Sequence, residues 1–445
     1  MKKMVTKLMS FLLVGVMITG CSGGSKVETP KEEAAPQGEV VAPPAPEGAT
    51  EFELWTFQEI HTQYYDKVML KWNEQNPDRQ VALKYSVLPY DDLHNKLLIA
   101  LQSGVGAPDI VDIEISKFPN YLKGEPQLIP LNSIIEPELD NIVKSRVDIY
   151  SKEGQYYGIC FHVGASVMYY NQEILDAAGV NADDIVTWDD FRKAGKQVLE
   201  KTGVPMTTVE SSDPWSIYPM LISRGADFLG ADGEPTLDTP ELKDTITFLQ
   251  DMIKEGTAVV TPGGFHHAEE YYGFMNEGGA AAVSMPLWYM GRFTDYMTDL
   301  DGKMAIKPNP VWEKGQPRSV GLGGTGTSIT NQCKDQELAK EVLAFAKLER
   351  EGNIEIWNTL GFDPIRTEVW SSEELKKPNK FTDFFVTNPF DVLEDIKDEI
   401  VGINVSENLP VVTDALRTTT FFRAFENLEE AGQVLKEEQA LVKQN

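Results

Sequence analysis

The fold is decided by residues 52–115, which read FELWTFQEIHTQYYDKVMLKWNEQNPDRQVALKYSVLPYDDLHNKLLIALQSGVGAPDIVDIEI. The alternating run over 52–57 predicts a strand, and apolar residues at helical spacing over 61–76 predict a helix after it. The same order continues as strand, helix and strand over 81–88, 90–103 and 110–115. Such alternation predicts an α/β domain built on a mostly parallel sheet.

The alternation returns further along the chain. Val167 begins a strand-like run, and Gly179 closes the helix that follows it. Thr187 precedes an acidic first turn, which predicts an N-cap and a helix towards residue 202. A further strand is predicted over 280–285. Further helices are predicted over 240–254, over 335–350 and from 423 onward. About 400 residues are too many for one typical core, so we expect two domains.

The N-terminal residues 1–20 have the features of a lipoprotein signal peptide. Lysines precede an apolar run over 8–18, and small residues stand directly before Cys21. The run is shorter than the roughly 20 residues that a membrane-spanning helix needs. The pattern resembles a lipobox, so we expect a lipid on Cys21; the alternative is an ordinary signal peptide with a chance cysteine. Residues 21–50 lack aromatic side chains and predict a disordered tether.

Charge and cysteine content narrow the possible partners. A net charge of −29 argues against nucleic acid or an anionic membrane surface as a partner, since both repel an acidic protein. Only Cys160 and Cys333 follow Cys21, so a disulfide framework and a CxxC metal site are excluded. Whether these two thiols pair stays open.

Motifs for nucleotide or metal chemistry are incomplete. The glycine-rich run over 321–327 lacks the Gly-Lys-Ser/Thr ending of a phosphate loop, which favours close backbone packing or a bend near a ligand. His266 and His267 precede two glutamates without HExxH order, which favours a polar helix start over a metal site. We predict no cofactor and no metal.

Carboxylates and aromatic residues at predicted strand ends indicate a sugar ligand. Asp112 and Glu114 alternate on one strand and would share a face; beside the carboxyl end of that strand they could accept hydrogen bonds from sugar hydroxyls. Their use as an acid/base pair in glycoside hydrolysis is the alternative. Aromatic platforms with planar hydrogen-bonding groups fit a sugar ring, which has an apolar face and a polar rim.

Several segments resemble extracellular solute-binding proteins of the maltose-binding type, and they follow that family's order. They are residues 104–110, 157–159, 168–171 and 187–191. The resemblance runs from about residue 52 to the C-terminus, and it is densest to arabino-oligosaccharide-binding lipoproteins over 90–115 and 136–181.

The resemblance implies a type II periplasmic-binding-protein-like fold with two lobes, each a mostly parallel sheet flanked by helices. Three hinge crossings are expected near 160–166, 310–320 and 362–368. Lobe one would comprise residues 51–163 plus 320–364, and lobe two residues 164–319 plus 365–445. The residues expected to bind the ligand are Trp55, Phe57, Gln58, His61, Glu114, Lys117, Phe118, His162, Trp215, Trp288, Tyr289, Arg292, Gly323, Gly324, Trp357, Asp363 and Arg366.

The expected function is capture of an oligosaccharide, with arabino-oligosaccharide preferred, by a monomeric protein anchored through Cys21 on the outer face of the cell membrane. Hinge closure around the sugar would prepare it for delivery to the permease of an ABC importer. This hypothesis predicts that the protein is not an enzyme. A secreted hydrolase using Asp112 and Glu114, and a ligand-sensing subunit for a membrane receptor, are the alternatives.

Overall fold

The computed structural model describes residues 46–444. The signal peptide, Cys21 and the tether up to residue 45 lie outside the described residues. No helix between residues 46 and 444 has the length and apolar character that a membrane crossing requires. Two five-stranded sheets, both flanked by helices, organise the described chain.

The bounds of the strands and helices are as follows. The strands are β1 (Thr50–Thr56), β2 (Val81–Val87), β3 (Ile110–Glu114), β4 (Ser151–Lys152), β5 (Gln155–Tyr156), β6 (Ile159–Cys160), β7 (Ser166–Asn171), β8 (Thr207–Val209), β9 (Ala258–Val260), β10 (Ala282–Pro286), β11 (Met304–Lys307), β12 (Ser319–Val320), β13 (Thr325–Ile329) and β14 (Ile400–Val401). The α-helices are α1 (Glu59–Gln75), α2 (Tyr90–Ser103), α3 (Asn132–Ile135), α4 (Ser145–Asp148), α5 (Gln172–Ala178), α6 (Trp188–Thr202), α7 (Tyr218–Ile222), α8 (Pro240–Glu255), α9 (Glu269–Asn276), α10 (Met290–Tyr296), α11 (Gln336–Lys347), α12 (Arg350–Leu360), α13 (Lys380–Phe384), α14 (Pro389–Ile396), α15 (Leu409–Ala415) and α16 (Ala431–Val442).

The first sheet has the strand order β2-β1-β3-β13-β6. β1 runs parallel to β2 and β3, as the alternation over 52–115 predicts, whereas β13 runs antiparallel to β3 and β6. β13 begins at Thr325, opposite Glu114 at the carboxyl end of β3. The chain therefore enters this sheet from the edge where β3 leaves it, which reverses its direction.

The second sheet has the strand order β11-β7-β10-β8-β9. β8 is parallel to β9 and β10, whereas β7 is antiparallel to β10 and β11. Both sheets are therefore mixed, which corrects the expectation of mostly parallel sheets. β7 enters the second sheet directly from β6, a strand of the first sheet, and not through a helical crossover from one of its own neighbours.

Local signals predicted the helix ends well where a cap residue is present. α2 spans the predicted residues, and Gly104 ends it with a φ of 74°. Thr187 caps α6 through a reciprocal pair of hydrogen bonds with Asp190. The helix predicted over 335–350 ends earlier, at Lys347, and α12 follows after a two-residue turn. Gly352, in the first turn of α12, packs closely on the Ala346 carbonyl.

The C-terminal helix also differs from its prediction. It was expected from residue 423, but α16 begins at Ala431. Two π-helical turns, Leu416–Thr420 and Phe422–Glu426, precede it. Wider turns of this kind leave no mark in the apolar spacing, and they often accompany functional sites.

The chain passes between the two sheets at two places that the strands define. β6 belongs to the first sheet and β7 to the second, so residues 161–165 form one passage. Residues 308–324, which include β12, lead back from β11 to β13. These positions overlap the first two predicted crossings. The third crossing and the lobe boundaries stay predictions.

Candidate ligand-binding site

On the first-sheet side, four side chains meet around Tyr90, the first residue of α2. The Tyr90 hydroxyl donates to Glu114 Oε2 over 2.9 Å, and the Tyr90 ring meets Phe57 edge-on with centroids 5.4 Å apart. Lys117 Nζ lies 5.3 Å from the Tyr90 ring centroid. Ser116 donates its backbone N–H to the same Glu114 oxygen over 2.8 Å. We call Phe57, Tyr90, Glu114, Ser116 and Lys117 the Tyr90 group.

Glu114 is the acidic centre of the Tyr90 group. Its position just where β3 ends lets the carboxylate bend towards α2, and its own backbone N–H donates to His94 Nε2 over 3.2 Å. Burial raises the pKa of Glu114, and the hydrogen bonds from Ser116 and Tyr90 oppose that rise. A carboxylate held by hydroxyl and amide donors, yet partly exposed, can accept further hydrogen bonds from a ligand.

On the second-sheet side, aromatic rings gather around Trp288, which follows β10. The Trp215 and Trp288 rings meet edge-on with centroids 5.5 Å apart, and both are partly exposed. The His267 ring is nearly parallel to Trp288, at 12° and 5.6 Å. Arg292 Nε lies 3.4 Å from His267 Nδ1. We call Trp215, His267, Trp288 and Arg292 the Trp288 group.

His267 acts in this group as a neutral hydrogen-bond acceptor. Burial lowers its pKa well below the usual value, and the nearby positive charge of Arg292 lowers it further. A neutral imidazole offers one lone pair, which receives the Arg292 Nε–H. The guanidinium is thereby oriented while its other nitrogens stay available.

Asp213 and Arg417 are ionisable residues beside the Trp288 group. Asp213 is buried two residues before Trp215, and its Oδ1 lies 3.6 Å from Arg417 Nε. Burial raises its pKa to about 8; Arg417 opposes this, while the negative charges of Glu210 and Glu114 add to it.

The glycine-rich run forms a turn beside Trp288. The Trp288 indole N–H donates to the Leu322 carbonyl over 3.1 Å. Gly323 and Gly324 have φ values of 66° and 134°, and a Cβ on Gly323 would lie 3.1 Å from Trp288 Nε1. A Cβ on Gly324 would lie 2.7 Å from the Tyr150 hydroxyl oxygen. Close packing and left-handed backbone, not phosphate binding, explain these glycines.

Most of the other predicted site residues are buried or paired with protein groups, and of these only Tyr289 contacts the Trp288 group, with its ring centroid 5.4 Å from that of His267. Trp55 is buried and donates to Glu53, and Gln58 is exposed at the start of α1. Phe118 packs edge-on against Tyr150 in the core, and the buried Tyr289 hydroxyl donates to the His266 carbonyl. Trp357 is buried against Phe390, and Arg366 pairs with Glu138. Their contact with a ligand stays a prediction.

His162 and Asp363 lie at the passage between the sheets. Asp363 is buried, and its carboxylate accepts the backbone N–H groups of Gly164 and Ala165 over 3.1 and 2.8 Å. Burial raises the pKa of Asp363 to about 7. His162 is buried against Phe362, and burial lowers its pKa well below the usual value. These positions can stiffen the passage, and their contact with a ligand also stays a prediction.

The two carboxylates of the hydrolase alternative belong to separate networks. Asp112 is fully buried, and it accepts hydrogen bonds from Tyr65, Thr327 and His61, the last over 2.9 Å. His61 also stacks on Phe161 at 4.2 Å. Glu114 instead joins the Tyr90 group. Asp112 therefore lacks the access that an acid or base on a glycosidic bond requires.

Comparison with known families identifies the chain. Residues 58–352 match the family model described as bacterial extracellular solute-binding protein. This protein is a member of that family. The solute-binding protein is 50% identical over 376 residues to the arabinooligosaccharide-binding protein of Halalkalibacterium halodurans, with 84% of each chain covered. It is 45% identical over 431 residues to the arabinooligosaccharide-binding protein of Bacillus subtilis, with 96% of each chain covered.

Solved structures support the two-lobed α/β fold of this solute-binding protein. The cyclic alpha-maltosyl-1,6-maltose binding protein from Arthrobacter globiformis superposes with a TM-score of 0.72. The match covers 89% of this chain and all of the other, at 20% identity. The family and the two-lobed fold implied by the sequence resemblance are thus confirmed.

The structure adds residues that sequence reasoning missed. Tyr90, Asp213, His267 and Arg417 belong to the site, although none was predicted to bind the ligand. A signal for Asp213 existed, because it stands two residues before Trp215 in the same loop. Tyr90 gave no such signal, since as the first residue of a predicted helix it looked like an ordinary structural position.

Two further features of the described residues help to delimit the site. Between residues 46 and 444, no group of three His, Cys, Asp or Glu side chains could hold a metal ion. A groove of about 310 Å³ lies apart from both groups, beside β11 and α14. Its charged residues include the pairs Lys307–Asp183 and Arg318–Asp395, which satisfy each other. We therefore place the candidate site at the Tyr90 and Trp288 groups.

Proposed function

We propose that this solute-binding protein captures arabino-oligosaccharides between the Tyr90 group and the Trp288 group. The observation that carries the proposal is the Trp215–Trp288 pair, whose partly exposed rings lie beside the buried carboxyl group of Asp213. Indole faces cover the apolar side of a sugar, and carboxylates accept hydrogen bonds from its hydroxyls. The names of the relatives from Halalkalibacterium halodurans and Bacillus subtilis support the arabino-oligosaccharide preference.

Binding would proceed by hinge closure. A ligand that contacts both sides favours the closed arrangement by the free energy of the additional contacts. The Tyr90 group supplies a carboxylate, hydroxyls and an amine, and the Trp288 group supplies aromatic faces, so neither side alone completes the recognition. Residues 161–165 and 308–324 join the two sheets, so closure would turn about these passages.

Delivery to an ABC permease completes the proposed role. The lipid on Cys21 would hold the monomeric protein at the outer face of the cell membrane, with residues 21–50 as its tether. Replacement of Cys21 by Ser should release the protein into the medium and abolish labelling by radioactive palmitate. Labelling that persists in the Cys21→Ser variant would refute the anchor.

Fluorescence titration tests the sugar assignment. Trp215 and Trp288 are partly exposed, so a bound sugar should change the intrinsic tryptophan emission of the chain. We expect a saturable change with arabino-oligosaccharides and a weaker one with malto- and xylo-oligosaccharides. If none of the three series causes a response in fluorescence or calorimetry, the proposal fails.

The proposed role is binding without catalysis. Incubation of the chain with a labelled arabino-oligosaccharide should leave the sugar intact, as judged by chromatography. Asp112 is buried among hydrogen-bond donors, which supports this expectation. Release of shorter products that is lost in the Glu114→Gln variant would support the hydrolase instead.

A further inference from the structure

A helix leads away from the proposed sugar site and carries suitable side chains outward. Trp288 precedes α10, and Arg292 and Tyr296 follow it at intervals of four residues. Arg292 and Tyr296 therefore lie on one face of α10, about 6 Å apart along its axis, and Trp288 lies in the 3-10 turn Leu287–Tyr289 that leads directly into it. That rise is comparable to the length of one sugar residue. Trp288 and Arg292 are partly exposed, and Tyr296, at the outer end of this row, is 53% exposed.

The outer end of this row is a supported aromatic surface. The Tyr296 ring is parallel to Tyr272, at 8° and 4.9 Å, and Tyr272 itself is buried. The Arg292 guanidinium carbon lies 5.9 Å from the Tyr296 ring centroid. Tyr296 is therefore backed on one face by Tyr272. An exposed ring held in this way loses little conformational freedom when a ligand stacks on it.

Arg292 differs from the other arginines that the structure describes. Apart from Arg146, which donates to backbone carbonyls, every other arginine in residues 46–444 pairs with a carboxylate. Arg292 instead has His267 as its hydrogen-bond partner, through Nε alone. In a chain with 69 acidic residues, this arginine keeps its terminal nitrogens for another partner. A planar guanidinium with spare donors can bind adjacent hydroxyls of a sugar.

We propose that Arg292 and Tyr296 form an outer subsite for the sugar residues of longer oligosaccharides. This inference rests on the proposed function and adds to it the length of ligand that the protein prefers. Tyr296 would stack on a sugar ring, and Arg292 would donate to hydroxyls between Tyr296 and Trp288. The continuity of the row with Trp288 favours an oligosaccharide over a protein partner, because one chain can then contact all three residues.

Short ligands would not reach this subsite. A disaccharide held at Trp215 and Trp288 does not extend as far as Tyr296, whereas a longer chain continues along α10 past Arg292. The affinity of the protein should therefore rise with oligosaccharide length, and the outer residues should contribute only to the longer members of the series.

Calorimetric titration of the full chain with arabino-oligosaccharides of increasing length tests this subsite. Tyr296→Ala should weaken the binding of the longest oligosaccharides by about 2- to 12-fold, which corresponds to the usual contribution of one aromatic stacking contact. Binding of the disaccharide should stay unchanged. Tyr296→Phe keeps the ring and should retain the affinity for long chains. Leu70→Ala, at a site of similar exposure on α1, is the matched control and should affect no ligand.

The outcomes separate this inference from the proposed function. If the unmodified chain binds arabino-oligosaccharides but Tyr296→Ala behaves like Leu70→Ala at every length, the outer subsite is refuted and the proposed function stands. If the unmodified chain binds none of them, the proposed function itself fails. An equal loss for short and long ligands would indicate a general disturbance of the Trp288 group and would also refute the subsite.

Discussion

The passage between the sheets and the candidate site both contain charged residues, but the two regions use them differently. At the passage, Arg146 is fully buried and donates to the carbonyls of Gly321 and Gly323, while Asp363 accepts two backbone N–H groups. In the site, Glu114 and Arg292 are partly exposed and bind other side chains. Charges bonded to the backbone fix the shape of the chain, whereas half-exposed charges remain available to a ligand.

The largest effect is expected on stability, from a substitution at the passage between the sheets. Arg146→Met would leave two buried carbonyl groups without donors, so we expect the free energy of unfolding to fall by about 2 to 5 kcal/mol. Chemical denaturation followed by tryptophan fluorescence measures it. Arg350→Met is the control, because Arg350 pairs with Glu374 near the surface, and it should cost much less. Equal losses in the two variants would remove the distinction between the regions.

Truncation of Trp288 should mainly weaken ligand binding. Trp288→Ala removes an aromatic face of the site, so affinity for an arabino-oligosaccharide should fall by about 30-fold or more, as at other central aromatic contacts. Trp288→Phe keeps a ring but loses the hydrogen bond to Leu322, and it should bind more tightly than the alanine variant. Calorimetry measures the affinity of both variants, and thermal melts measure their stability. A fall in stability with unchanged affinity would contradict the prediction.

A smaller effect is expected on the first-sheet side. Glu114→Gln keeps the shape but replaces a charged acceptor by a neutral one, so affinity should fall about 10-fold. Tyr90→Phe removes the donor that orients Glu114, and its loss should be smaller. If Tyr90→Phe weakened binding more than Glu114→Gln, the hydroxyl of Tyr90 rather than Glu114 would be the principal contact.

The smallest effect is a pH dependence of stability. The pKa of Asp213 is raised to about 8 in the folded protein, from 3.8 when exposed. The folded state therefore favours the protonated form, and the free energy of unfolding should decline as the pH rises from about 4 to about 8. Histidines whose pKa is lowered act only below about pH 6.5, and Asp227 and Asp363, with pKa values of about 7, act mainly below about pH 8. The part of the fall in Tm between about pH 7 and pH 9 that depends on Asp213 therefore reports this residue.

Replacement of the titrating group provides the control for this pH dependence. Asp213→Asn cannot ionise, so its Tm should vary less over the same pH range than that of the unmodified chain. An equal decline in both proteins would assign the effect to other groups.

Much of the fold could be predicted because its signals are local. α2 was predicted over its full span from apolar spacing and the glycine after it, and α6 from Thr187 and its acidic first turn. Strand direction could not be predicted, since the orientation of β13 depends on the edge from which the chain returns. The π-helical turns before α16 also escaped prediction, because tertiary packing stabilises them.

The site was predictable only in part. Residue type and resemblance predicted six residues that the structure gathers into two groups. They are Trp215, Trp288, Arg292, Phe57, Glu114 and Lys117. The roles of Asp213 and Tyr90 depend on contacts between distant segments. Trp55 and Trp357 have the same residue type as Trp288, yet they are buried in the core, and sequence alone did not distinguish them.

The sequence by itself determined the α/β class, the helix ends with strong caps, the membership of a solute-binding family and the acidic charge of the chain. These properties follow from composition, spacing and nearest neighbours along the chain. Only the tertiary structure decided which aromatic residues stay exposed, how the strands are directed, and that Arg292 has no carboxylate partner among residues 46–444. Each of these depends on the distance between residues far apart in sequence, and the spacing of residues along the chain does not specify that distance.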